Sequence, residues 1–147
     1  MLRFFDSTAL VKAMFPQERG HDQAASLLGE SASPRLSFAT ARIAVLEALS
    51  KVWRITRDRA ELRKLEVHFD KFSFYELDVD HDLARGLILK MDLKGAGAGI
   101  LAVATGISRR ERIWVQFLSA DREQIHAARQ LARHDRLRVV SLPVGLK

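Results

Sequence analysis

Apolar residues in this chain fall into short consecutive blocks separated by longer stretches where they recur every three or four positions. The blocks Leu2 to Phe5, Arg35 to Phe38, Ser73 to Leu77, Trp114 to Leu118 and Leu137 to Leu142 predict strands. After the first, Asp6-Ser7-Thr8 opens a brief helix that Pro16 and Gly20 interrupt; a second helix runs from about His21 to Leu28, and Gly29 through Pro34 is loop. Thr40 opens a longer helical pattern through Ile43, Leu46, Leu49, Ser50 and Trp53, and a basic helix follows from about Asp58 to Phe69. Asp80 to Met91 is a helix with Leu83, Leu87 and Ile88 on one face, Ala98 to Ile107 a small-residue helix apolar enough to be buried, and Asp121 to His134 the last helix. Strands alternating with helices imply a three-layer α/β/α sandwich around a central, mainly parallel sheet. With no repeat, low-complexity tract or linker, residues 1–147 read as a single domain.

Composition narrows the class. At 48% apolar and 29% charged residues the chain has the balance of a soluble globular protein, long enough to bury a core without staples. It has no cysteine, which excludes disulfides and Cys-rich zinc sites. No apolar run is long enough for a bilayer and the start lacks a signal-peptide layout, so the expected location is the cytoplasm. A net charge of +6 favours polyanionic partners, although a merely solvated surface accounts for it too. The same two readings apply to the basic clusters at Arg54, Arg57, Arg59, Arg63 and Lys64, and at Arg109, Arg110 and Arg112. Trp53 and Trp114 lie in apolar patterns, which places them in the core or an interface.

The informative acids are those at the carboxyl ends of strands, where ligands gather in open α/β sheets. Asp6 and Asp121 fall there. Each also suits a helix N-cap, and Asp121 with Gln124 has the spacing of a capping box. Glu47 stands beside Leu46 on an otherwise apolar stretch, so its carboxylate must be exposed at an edge, paired with a cation such as Arg42, or bound to a metal. Three such carboxylates brought together would offer oxygen donors to Mg²⁺ or Mn²⁺, hard ions suited to phosphodiester hydrolysis.

Phe5-Asp6-Ser7-Thr8-Ala9-Leu10-Val11-Lys12, Val45-Leu46-Glu47-Ala48-Leu49 and Phe117-Leu118-Ser119-Ala120-Asp121-Arg122 together resemble the acidic motifs of the PIN-domain family, which includes VapC-like toxin ribonucleases. The likeness runs from Phe5 to Val140. It implies a PIN-like fold, metal ligation and catalysis by Asp6, Glu47 and Asp121, and a cytoplasmic protein that dimerises and pairs with a small antitoxin. Substrate contacts are expected from Ser7, Lys12, Arg42 and Ser119. In Leu93-Lys94-Gly95-Ala96-Gly97-Ala98-Gly99-Ile100-Leu101-Ala102-Val103-Ala104 the family normally places an Asp at the position of Gly97, and often a polar residue at Ile100. Loss of that acid should weaken the hold on metal.

Two functions follow. One is a metal-dependent ribonuclease of the toxin type with impaired activity. The other is a noncatalytic PIN-fold module that binds RNA or a protein partner. A phosphoacceptor signalling domain would want adjacent acids after the first strand, and Phe5-Asp6-Ser7 supplies only one.

Overall fold

A computed structural model describes residues 1–30, 35–76 and 80–147. Strands β1 (Leu2–Phe5), β2 (Ser37–Ala41), β3 (Phe72–Tyr75), β4 (Val115–Ser119) and β5 (Leu137–Ser141) form one sheet in the order β3-β2-β1-β4-β5. Every neighbouring pair is parallel. The connections carry α1 (Ser7–Met14), α2 (His21–Gly29), α3 (Arg42–Thr56), α4 (Arg59–Glu66), α5 (His81–Met91), α6 (Gly95–Glu111) and α7 (Arg122–Leu131). A parallel sheet must be covered on both faces, and side-chain alternation along the strands divides the core accordingly. Leu2, Phe4, Val115 and Phe117 pack with α5, α6 and α7. Phe5, Phe38 and Leu118 pack on the other side with residues of α1, α2, α3 and α4. The three layers expected from the sequence are therefore present.

Several boundaries differ for physical reasons. Thr40 lies inside β2, where its buried hydroxyl donates to the Phe5 carbonyl at 2.7 Å, so α3 starts only at Arg42. The buried face of α3 is Ala44, Ala48 and Val52, while Leu46 is 66% exposed. Small residues at four-residue spacing let the helix lie close to its neighbours, which the larger Ile43-Leu46 stripe would prevent. The basic helix shortens to α4, capped by Asp58 accepting from Ala60 N at 2.9 Å, and Phe69 belongs to a separate 3₁₀ turn. Trp114 precedes β4 and is half-exposed, not core. Ser31 to Pro34 of the expected loop, and Leu77 of the expected third strand, lie outside the described residues. No helix among the described residues is long and apolar enough to cross a membrane.

Residues Ala98 to Ser108 of α6 are buried without interruption, so this helix forms the centre of its layer. It meets the start of α5 at Gly106. A Cβ there would overlap Asp80 Oδ1 and stand 2.6 Å from Asp80 Cγ, displacing a carboxylate that is ion-paired to Arg110. On an exposed helix Gly→Ala gains up to about 1 kcal/mol. Gly106→Ala is expected to reverse that sign and cost roughly 1–2 kcal/mol, as overpacking does, read as a lower urea midpoint at unchanged m-value.

Candidate active site

From β1 the chain moves outward through β2 and β3, then crosses back to build β4 on the other side of β1. That reversal opens a crevice beyond the carboxyl ends of β1 and β4. A cleft of about 520 Å³ occupies this place, with Ser7, Thr8, Glu47, Lys94, Gly97, Asp121, Arg122 and Gln124 among its lining residues.

Asp6 closes β1, caps α1 and is completely buried beneath the cleft. Its Oδ1 accepts from Ala9 N at 2.8 Å and from the Thr8 hydroxyl at 2.7 Å; its Oδ2 accepts from the Ser119 hydroxyl. Thr8 Oγ1 in turn accepts from Ala120 N at 2.8 Å, and Ser119 Oγ from Asp121 N at 3.0 Å. Two hydroxyls thus lace the ends of β1 and β4 together around one carboxylate. Burial pushes the Asp6 carboxyl up to about 6; the hydrogen bonds from Ser119, Thr8 and Ala9 oppose this, and the charge of Asp121 adds to it. A cap alone does not require this arrangement, because a neutral Asn, Ser or Thr caps equally well without a buried charge.

Asp121 caps α7, with Oδ1 accepting from Glu123 N at 2.9 Å and Gln124 N at 3.2 Å, which leaves Oδ2 outside the cap. The reciprocal half of a capping box is missing: Asp121 N donates to Ser119, and the Gln124 side chain lies against Gly97. Glu47 is exposed on α3 and faces the same cleft. Its candidate partner Arg42 instead pairs with Glu76 and lies over the Phe74 ring, 5.3 Å from its centroid.

Gly97 sits in the first turn of α6. A Cβ there would stand 2.9 Å from Gln124 Nε2 and 3.5 Å from its Cγ. Gln124 is 4% exposed, and its Oε1 finds no hydrogen-bond partner among the described residues. The volume into which a side chain at position 97 would project is therefore held by a glutamine amide. Cations enter the cleft as Lys94, immediately before α6, and Arg122, the first residue of α7. The start of α6, which no side chain caps, presents its N–H groups and positive dipole end in a way that suits a phosphate, whereas the start of α7 is already taken by the Asp121 carboxylate.

The expected substrate contacts divide. Ser7 lines the cleft, but the hydroxyl that supports Asp6 is that of Thr8. Ser119 is buried between Asp6 and Asp121. Lys12 is buried and paired with Glu18 at 2.9 Å beside a neighbouring recess, and Arg42 lines a separate apolar one. Lys94 and Arg122 went unmarked in the sequence, although each adjoins a motif residue.

No protein-family model and no curated protein matches the sequence. Solved structures do match. The VapBC2 complex of Rickettsia felis, bound to a DNA fragment from its promoter, aligns at 12% identity over 96% of this chain and 98% of that one, with a TM-score of 0.65. VapC20 of Mycobacterium tuberculosis, a sarcin–ricin loop cleaving toxin, aligns at 15% identity over 85% and 94%, with a TM-score of 0.66. VapBC-1 of nontypeable Haemophilus influenzae aligns at 9% over 96% and 98%, with a TM-score of 0.64. At these identities the likeness is one of fold: the chain has the α/β architecture of VapC PIN-domain toxins along nearly its whole length.

Proposed function

We propose that this chain is a PIN-type endoribonuclease resembling the toxin of a toxin–antitoxin pair, assisted by Mg²⁺ or Mn²⁺ and attenuated by the missing acid at Gly97. The observation that carries this reading is Asp6: a buried carboxylate pushed towards neutrality, placed at the switch point of the sheet, below a cleft that also holds Glu47 and Asp121. A bound cation would remove the cost of that burial. The donor chemistry fits a hard ion, since all three side chains offer carboxylate oxygens and, among the described residues, Asp121 Oδ2 and Glu47 are free of other bonds. Among the described residues no three His, Cys, Asp or Glu side chains form a ready-made cage. The fit is therefore to an ion that keeps several waters, as Mg²⁺ does.

When bound, such an ion supplies an activated water and neutralises phosphate charge. The chain's own contribution is positional. Thr8 and Ser119 hold the Asp6 carboxylate, the α7 cap fixes Asp121, and Lys94, Arg122 and the start of α6 attract the phosphate. The same reading assigns a small antitoxin and a second copy of the chain as partners, working in the cytoplasm. Exposed Leu46 on α3 and Leu89 on α5 supply apolar area for such contacts.

The second reading, a noncatalytic module binding RNA or protein, is favoured by one observation: Gln124 fills the space an acid at position 97 would use. Mn²⁺ titration calorimetry beside cleavage of a labelled RNA separates the two. Glu47→Gln is expected to weaken Mn²⁺ binding about tenfold and to lower cleavage at least as far. Native protein that binds no Mn²⁺ and leaves RNA intact would establish the noncatalytic module.

A further inference from the structure

The end of the molecule opposite the cleft carries a second concentration of charge. α6 begins at the cleft and ends there in Arg109 and Arg110, followed by Arg112; its 17 residues span about 25 Å. β4 and β5 start at the same end, beside Trp114, Arg136 and Arg138, and Arg133 follows the close of α7. All six arginines are exposed. Against them stand Asp80, Asp82, Glu111 and Asp135, so six arginines and four acids leave a surplus of two positive charges.

Helix architecture accounts for only part of this. Cations in the last turn complement the helix dipole, which covers Arg109 and Arg110. Both are also ion-paired: Arg109 to Asp135 through bonds of 2.8 and 3.0 Å, Arg110 to Asp80. Arg112 stands beyond the helix at φ 54°, a left-handed position where glycine or asparagine costs less. Arg112, Arg133 and Arg136 have no carboxylate partner among the described residues; Arg136 Nη1 donates to the Arg112 carbonyl. With Ser108, Arg109, His134 and Asp135, Arg112 and Arg136 line a recess of about 300 Å³. The Asp135 carboxylate in that recess is already taken by Arg109, so it does not present a free negative charge. Nearby, the Arg138 guanidinium lies 5.3 Å from the ring centroid of Trp114, which is 46% exposed.

We propose that this pole is an RNA-docking surface separate from the cleft, gripping backbone phosphates with Arg112, Arg133 and Arg136 and offering Trp114, backed by Arg138, as a platform for an unpaired base. Unpaired arginines around a recess suit phosphate oxygens, and an exposed aromatic beside them suits stacking by single-stranded RNA. The surface lies too far from the cleft for one phosphate to touch both. Its binding is independent of any divalent cation and of the nuclease reading.

The test uses the full chain with a fluorescein-labelled single-stranded RNA of mixed sequence, in excess chelator, with anisotropy followed against salt. Arg112→Ser/Arg136→Ser is expected to weaken binding at least tenfold at moderate salt. The slope of log affinity against log salt should fall by about 1.4, at about 0.7 per phosphate released. Arg112→Lys/Arg136→Lys should keep the native slope, because charge and not packing is at issue. Trp114→Ala should weaken binding severalfold at unchanged slope; since that side chain is half-exposed, this variant keeps the test open if the serine pair folds poorly. Binding within twofold of native in the serine pair or in Trp114→Ala overturns the proposal. So does displacement of the RNA by poly-glutamate as readily as by unlabelled RNA, which would assign the pole to an acidic protein.

Discussion

The Asp6→Asn protein is expected to be more stable than the native chain at pH 7.5, and to lose that advantage near pH 4. The Asp6 carboxyl sits near 6 in the fold, raised mainly by burial from 3.8 in an exposed chain. A carboxyl raised by folding favours the fold while protonated, so its contribution is fully present below pH 3.8 and is lost as pH rises through 6. At about 1.4 kcal/mol per pH unit, native protein forfeits up to about 3 kcal/mol across that window. Asn is isosteric and cannot ionise. It keeps an acceptor for Ala9 N and Thr8, and its amide can donate to Ser119 Oγ, at the loss of charge-assisted bonds. A net gain of about 1–2 kcal/mol remains, worth several degrees in Tm for a chain of this size. The measurement is Tm against pH for both proteins, with and without Mn²⁺. Under the nuclease reading, Mn²⁺ raises the native Tm at pH 7.5 and leaves Asp6→Asn unchanged, because the ion binds the folded state through that carboxylate. Equal pH profiles for the two proteins would mean that the carboxyl is solvated and titrates as an ordinary cap.

Leu2 to Phe5, interrupted only by Arg3, and Ala98 to Ile107, interrupted only by Thr105, were legible in the sequence because a segment buried on all sides needs no periodicity, only prevailing apolarity. Asp6 and Asp121 stood out because an acid that ends an apolar strand block falls where the fold places ligands. Three other features depended on neighbours distant in sequence. The start of α6 at Gly95 was hidden by glycines that argue against helix locally and are overruled by packing. The burial of α3 through Ala44 and Ala48, not Leu46, is set by how closely it lies to its neighbours. Lys12 and Arg42 are drawn from the cleft by Glu18 and Glu76, partners that no spacing rule connects to them. Lys94 and Arg122 carried a usable signal, a cation adjoining a motif residue, which their ordinariness as surface residues masked.

The position of the Gln124 side chain was beyond sequence reasoning, and it determines what introducing an acid at Gly97 will do. Gly97→Asp alone must displace the Gln124 amide, 2.9 Å from the new Cβ, before its carboxylate can turn to the cleft. The amide is the end of a flexible chain and can swing, so the fold should survive. Its Nε2 is also a donor that will hold the new carboxylate, in competition with a cation. Gly97→Asp is therefore expected to raise Mn²⁺ affinity no more than about threefold. Gly97→Asp/Gln124→Ala removes the competitor while keeping the α7 cap, which uses the backbone N–H of residue 124. With a fourth carboxylate free to ligate, affinity in the double variant should rise about 10- to 100-fold, and RNA cleavage with it, since a further anionic ligand contributes on the order of 1–3 kcal/mol. Gln124→Ala alone should change neither, because it adds no oxygen donor. Calorimetry and cleavage across the four proteins give the coupling directly. A single variant that matches the double would remove Gln124 from the account, while a double variant no better than native would place Gly97 outside the cation's reach. Gains confined to the double variant would mean that a carboxylate at position 97 reaches the cation only once the glutamine amide has left that corner of the cleft.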